Sequence, residues 1–294
     1  MSIAWSSDFT YKYFRRILDA IKGGFQCHPI CESPQILGSK GSPKLLLRHD
    51  VDISLPIACR MAEIEAECRL RATYMVMTNG LLYSLTDDDS RRILRLLIAM
   101  GHEVALHFDI GALEGNGKVT AIEMEIDTAC KQLEDVLGLP VQSISFHRPG
   151  SYDGLLSPFR QGPLFVADRV NAYAADLMGG YLSDSKGSWR DGEPLPKLLS
   201  PAKPLLQLLI HPIWWGEEHM APQDRLEAFF LAETQGSTPS FTQTFDDRLA
   251  ATVPAVLRRH FPERTTENGK EDQHDSRAIQ YRRSCPEAAN SESR

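Results

Sequence analysis

Short apolar runs alternate with amphipathic segments from residue 44 to residue 216, and four of the runs end in reactive polar side chains. Lys44 to Arg48 runs straight into His-Asp-Val-Asp, the pattern of a buried strand with polar chemistry at its C-terminal end. Ser54 to Leu70 reads as helix and Ala72 to Met77 as a second strand. Thr86 to Met100 opens with a cap residue and an acidic turn, keeps helical spacing and stops at Gly101. His102 to His107 is the next strand, Lys118 to Leu137 a helix, and Val141 to Phe146 a strand that meets His147-Arg148-Pro149-Gly150. Shorter strand-like pieces stand at Leu164 to Ala167 and Tyr181 to Asp184, and Leu205 to Ile210 is a buried strand followed by His211. Strand and helix at such short intervals predict parallel strands covered by helices.

The chain has 294 residues, 42% apolar and 24% charged, enough for a full core. A single α/β barrel of roughly 250 residues accommodates that length as well as two domains would. Its formal charge of -7 has the wrong sign for a protein that grips phosphate backbones, so nucleic acid is not an expected partner. No stretch reaches the ~20 apolar residues of a membrane helix. The N-terminus lacks the pattern of a secretory signal and reads as an amphipathic helix over residues 8–23, capped near Ser7 or Asp8. A cytoplasmic location follows as the expectation. The six cysteines are scattered, so reduced thiols are expected, and Cys27 and Cys31 read as loop thiols rather than a zinc site. Residues 222–260 look helical with a break near Gly236 to Ser240, and the polar segment from residue 264 to residue 294 reads as a disordered tail behind a single domain of residues 1–263.

In a parallel barrel all strand C-termini open on one face, which should bring Asp50, Asp52, His107, His147, Arg148 and His211 together. A lone histidine is more often a hydrogen-bonded structural residue than a ligand; several at equivalent strand ends resist that reading. Together they satisfy the needs of metal-assisted hydrolysis: donors for a divalent ion, a carboxylate to take a proton from water, and an imidazolium to protonate the leaving group. Asp50 and Asp52 point to one side of an extended strand, so one can bind metal while the other acts as base. His102 and His107, five apart, point to opposite faces, which leaves His107 as the candidate ligand.

In order along the chain, RHDVD (Arg48 to Asp52), GHEVALHFD (Gly101 to Asp109), SFHRPG (Ser145 to Gly150), YLSDSKGSW (Tyr181 to Trp189) and LLIHPIWW (Leu208 to Trp215) resemble the five motifs of the polysaccharide deacetylase family. That family, also called carbohydrate esterase family 4, has the NodB-homology fold, a distorted (β/α) barrel. The resemblance covers residues 44–216 and is nearest to a variant group with RHDVD at the first motif. It implies deacylation of an N-acyl or O-acyl sugar by one divalent metal ion, zinc being the expected identity. Carried over by position, Asp50 resembles the base, Asp52 and His107 metal ligands, Arg148 the residue that orients the base, and His211 the general acid. Asp184 and Trp189 resemble the fourth motif, which shapes the substrate pocket and positions the acid, and Trp214 and Trp215 are candidates to stack on a sugar ring or simply to pack.

Two departures from the family pattern stand out. Val51 separates the two aspartates that are usually adjacent, which leaves the division of labour between Asp50 and Asp52 open. The second motif usually carries two histidines four apart, and four beyond His107 stands Gly111. His147 is the candidate replacement, with Asp109 and His49 behind it. Thr244 to Asp247 spells the family's common first motif but reads as a helix N-terminus, and Gly115 to Lys118 reads as a turn rather than a phosphate loop. The leading expectation is a cytoplasmic deacetylase acting on an acylated amino sugar or glycan precursor. The alternatives are an inactive barrel that binds a glycan or a protein, and a hydrolase of non-sugar amides.

Overall fold

The computed structural model describes residues 7–80, 82–110, 119–147 and 169–234. By its internal contacts the chain divides into Met1–His219 and Met220–Arg294. In the second unit the described segment is one helix, Pro222–Thr234. The strand expected at residues 164–167, the decoys at residues 115–118 and 244–247, and the tail at 264–294 all lie outside the described residues.

The first unit is built on a parallel sheet. Its strands are β1 (Gln26–His28), β2 (Lys44–Val51), β3 (Thr73–Val76), β4 (Glu103–Asp109), β5 (Ser143–His147), β6 (Val170–Asn171), β7 (Tyr181–Ser183) and β8 (Leu205–Ile210). They lie in the order β6-β5-β4-β3-β2-β8-β7, with β1 against the start of β2, and every pairing is parallel. The covering helices are α1 (Tyr11–Gly24), α2 (Ser33–Ile36), α3 (Leu55–Glu67), α4 (Asp88–Ala99), α5 (Val119–Leu137) and α6 (Pro194–Leu199). This is a half-barrel of parallel strands with flanking helices, the α/β architecture that the alternation predicts. All eight residues of β2 are buried, as expected of a central parallel strand covered on both faces.

Local chemistry sets the helix ends. In α4 the Asp87 side chain accepts from the Ser90 N–H at 3.1 Å, and Asp88 and Asp89 lie in the positive first turn. The helix ends at Gly101, at φ +90°, where Gly101 N–H donates to Ile98 O at 2.9 Å and His102 N–H to Leu97 O at 3.1 Å. The cap of α1 is Thr10, accepting from Tyr13 N–H at 3.0 Å, not Ser7 or Asp8. Asp8 instead accepts from the Thr10 N–H at 2.9 Å, one step upstream of the helix. The loop expected around Cys27 is also corrected: β1 pairs Cys27 with Leu45, and Cys31 stands in a turn of 3₁₀ helix, Ile30–Glu32.

The period of two along each strand sorts side chains to the two faces. Leu46, Met75 and Ala105 form an apolar floor inside the sheet with Ile30, Ile36, Ala172 and Leu177. Above that floor, on the same face, follow Arg48 and Asp50 of β2, His107 of β4 and Ser145 of β5, the last two paired in register. The opposite face carries Leu45, Leu47 and His49 toward the helices.

Candidate active site

Asp52 stands one residue past β2, and its Oδ1 lies 3.1 Å from His107 Nε2 and 3.3 Å from His147 Nδ1. Donor atoms of Asp52, His107 and His147 all fall within 4.8 Å of one another, the one such group among the described residues. Among the described residues Asp52 Oδ1 is buried without a properly aligned hydrogen bond, although two imidazoles face it. A carboxylate oxygen and two imidazole nitrogens around one point are the donor set of a divalent ion site, so the residues fit such an ion. His107 Nδ1 is engaged by Ser145 Oγ at 2.6 Å, which fixes the ring and turns Nε2 toward Asp52. Burial opposes ionisation of Asp52, but His107 and His147 outweigh it and hold the carboxyl well below the usual range.

Asp50 is held differently. Arg48, fully buried, donates from Nε to Asp50 Oδ1 at 2.7 Å and from NH2 to Oδ2 at 2.6 Å. Residues two apart on a strand point the same way, which is what lets one strand carry both halves of this bidentate pair. The Arg48 guanidinium lies over the Tyr173 ring at 4.7 Å, and its NH2 also donates to Tyr173 Oη at 3.0 Å. Tyr173 in turn donates to Phe146 O at 2.9 Å. Burial raises the Asp50 pKa, and the charges of Arg48, His107 and His211 more than reverse it, leaving it lowered. Asp50 Oδ2 is 3.7 Å from His107 Nε2, farther than Asp52.

His211 follows directly on β8, whose Ile210 pairs with His49, so it lies alongside Asp50. Its Nδ1 meets Asp184 Oδ1 at 2.7 Å, and its backbone N–H donates to the same carboxylate at 2.9 and 3.1 Å. Trp215 Nε1 donates to Asp184 Oδ2 at 2.9 Å. Burial lowers the His211 pKa, yet the Asp184 hydrogen bond and the charges of Asp184, Asp52 and Asp50 raise it to about 9. Asp184 is fully buried, with its oxygens engaged by His211 and Trp215.

Trp189 and Trp215 are 6% and 1% exposed and pack against Phe9, with ring centroids at 6.4 and 5.2 Å. Both sit in the seam beneath α1, where Gly216 bridges to Thr10. Trp214 is half-buried, its Nε1 enclosed without a hydrogen-bond partner among the described residues. His49 lies on the helix side of β2, with Nε2 2.6 Å from Glu65 Oε1, which removes it as a ligand. Asp109, at the end of β4, is 8% exposed and outside the Asp52 group. Arg148 lies outside the described residues. Sequence reasoning missed Arg48, whose two-residue spacing from Asp50 was the available signal. It also missed Ser145, Tyr173 and Tyr83, whose hydroxyl donates to Val51 O at 2.7 Å and accepts from Met77 N–H at 2.8 Å. Those three are found only through strand register and long-range packing.

No family model and no curated protein matches the chain. Among solved structures it is similar to a CE4 family pseudoenzyme from Bacillus anthracis, at 15% identity over 64% of this chain and 59% of that one, TM-score 0.37. It is similar to the Streptococcus pyogenes deacetylase PplD in complex with acetate, at 13% identity over 74% of this chain and 85% of that one, TM-score 0.41. A family 4 acetyl xylan esterase from Clostridium thermocellum in complex with a cobalt ion is also similar, at 15% identity over 62% and 80%, TM-score 0.38.

Proposed function

We propose that this chain is a metal-dependent hydrolase that removes an acyl group, N-acetyl first, from an amino sugar or glycan precursor. The observation that carries the reading is the convergence of Asp52, His107 and His147 donors within 4.8 Å, next to a separately held carboxylate, Asp50. The sugar, as opposed to another amide or ester, rests on the five ordered motifs.

Asp52, His107 and His147 would hold the ion, and zinc suits one carboxylate with two imidazoles. When bound, such an ion polarises an acyl carbonyl and acidifies a water molecule. Asp50, ionised and steadied by Arg48, accepts the proton of the attacking water. His211 acts as the acid: with Nδ1 on Asp184, its Nε2 is the atom that protonates the departing nitrogen or oxygen. A pKa of about 9 keeps His211 charged at neutral pH, which an acid requires. Trp215, donating to the second Asp184 oxygen, stops that carboxylate from turning away from the ring.

The test is metal content by elemental analysis, with acetate release from a panel of N-acetylated sugars and simple acetylated amides. About one ion per chain, with acetate released from a sugar, supports the reading. A chain that stays empty in excess zinc and cobalt and releases nothing overturns it in favour of a binding barrel, and release from amides alone overturns the sugar.

A further inference from the structure

Three consecutive inward positions of one strand and its exit carry Arg48, Asp50 and Asp52, and the two carboxylates are treated unequally. Asp50 has both oxygens engaged by one guanidinium, at 2.7 and 2.6 Å. Among the described residues Asp52 has no arginine partner, and its Oδ1 faces two imidazoles at 3.1 and 3.3 Å without an aligned hydrogen bond. Nothing in the distances alone would keep Asp50 away from the same point, since its Oδ2 is 3.7 Å from the His107 nitrogen that Asp52 approaches. The difference is the arginine, which is fully buried, stacked on Tyr173 and anchored through that tyrosine to Phe146 O. A planar fork in a fixed position engages both oxygens of one carboxylate at once, something an ammonium cannot do.

We propose that Arg48 is a positioning residue that withholds Asp50 from the metal and thereby reserves the ligand position for Asp52. This rests on the reading of Asp52, His107 and His147 as the ion's holders. It answers in geometric terms how two aspartates separated by Val51 divide base and ligand between them. The guanidinium also marks a line of support reaching across the sheet from β2 to Tyr173, two residues beyond β6, since it lies over the Tyr173 ring and that tyrosine bonds to Phe146 of β5. Released from Arg48, Asp50 becomes a second carboxylate for the ion, and added ligand charge tightens binding of a divalent cation.

Titration of the purified full chain with cobalt(II), followed by calorimetry and by the visible spectrum of the ion, tests this. Arg48→Met is expected to bind cobalt about tenfold more tightly than wild type, with a spectrum shifted by the extra carboxylate, while kcat falls and KM changes little. Asp50→Asn is expected to bind within about threefold of wild type, whereas Asp52→Asn loses about 100-fold or more. On the Asp50→Asn background the Arg48→Met change is expected to leave affinity unaltered, because the freed carboxylate is gone. A purely structural arginine would lower the melting temperature without tightening the metal in an Asp50-dependent way. Should Arg48→Met fail to fold, Arg48→Lys keeps the charge and frees one oxygen, and a smaller tightening of the same sign is expected. Affinity within twofold of wild type in Arg48→Lys and in any folded Arg48→Met, or loss of cobalt in Asp50→Asn to the extent seen in Asp52→Asn, overturns the proposal. Wild type that takes no cobalt overturns the metal reading itself, a distinct failure.

Discussion

The two faces of β2 carry the same kinds of side chain and use them for opposite ends. On the helix side, His49 Nε2 meets Glu65 Oε1 at 2.6 Å, Tyr74 donates to Glu65 Oε2 at 2.8 Å, and His49 lies flat on Tyr74 at 4.5 Å. His102 completes the group, accepting from Ala72 N–H at 3.2 Å and reaching Ala62 O at 3.2 Å through its other nitrogen. Four polar residues, all buried, are joined to each other and to backbone, with His49 Nδ1 the one atom of the group that has no partner among the described residues. On the inner side, Asp52 and His147 keep 20% and 25% of their side chains exposed, and the imidazoles converge on one oxygen without aligned bonds. Histidine paired with carboxylate is therefore not itself a sign of function. A closed, inaccessible network is scaffold, whereas an open one whose donors converge on one point is where the proposed ion would sit.

Breaking each side should give different failures. Asp52→Ala or His107→Ala is expected to lose the ion and to cut acetate release by about 10³-fold or more, with folding retained. Elemental analysis beside the assay checks this, and a mutant that keeps one ion per chain would dissolve the contrast. Glu65→Ala acts on the other face: it strands His49 and the Tyr74 hydroxyl in the core and is expected to cost about 3 kcal/mol or more of stability. The folded fraction should still bind one ion, so urea unfolding with metal content per folded chain separates scaffold from site.

A finer division within the inner face is expected from pH. The His211 pKa is raised to about 9, chiefly through Asp184, so activity requiring the protonated ring holds at neutral pH and falls as pH rises through about 9. Asp184→Asn removes the main raising charge, and the basic limb of kcat should move down toward the ordinary histidine value of about 6.5. Stability has the same sign. The raised folded pKa contributes stability in full below about 6.5, and that contribution is lost as pH climbs through about 9. Identical basic limbs in wild type and Asp184→Asn would remove His211 from its role.

The parallel sheet and the crowding of Asp50, Asp52, His107 and His147 at its mouth were legible in the sequence, because apolar runs ending in polar residues mark parallel strand ends wherever they occur. The period of two further separates His49 from its neighbour Asp50, since adjacent residues on a strand face opposite ways. What was not legible depended on register. Ser145 reaches His107 because β4 and β5 align those two residues, and Tyr173 reaches Arg48 across more than a hundred residues of chain. The tryptophans stayed open between two readings for a related reason: an aromatic pair beside a strand end suits a sugar or a seam equally, and the ring that packs on Trp215, Phe9, lies far from it in sequence.

The position of the first helix cap is the smallest of these effects and the sharpest control. Thr10 accepts from Tyr13 N–H at 3.0 Å, while the segment before it is tied to the far end of the unit by Tyr11 N–H to Gly216 O at 2.7 Å and Gly216 N–H to Phe9 O at 3.0 Å. Thr10→Ala leaves one N–H of the first turn without its side-chain acceptor and is expected to cost about 1 kcal/mol. Ser7→Ala should cost nothing measurable by the same unfolding assay, because the helix does not begin there. Both variants should bind the ion as wild type does. If Thr10→Ala instead weakened the metal, the seam formed by Phe9, Trp189 and Trp215 would be supporting the site through the Trp215 bond to Asp184, and the boundary between scaffold and site would have to be drawn further out.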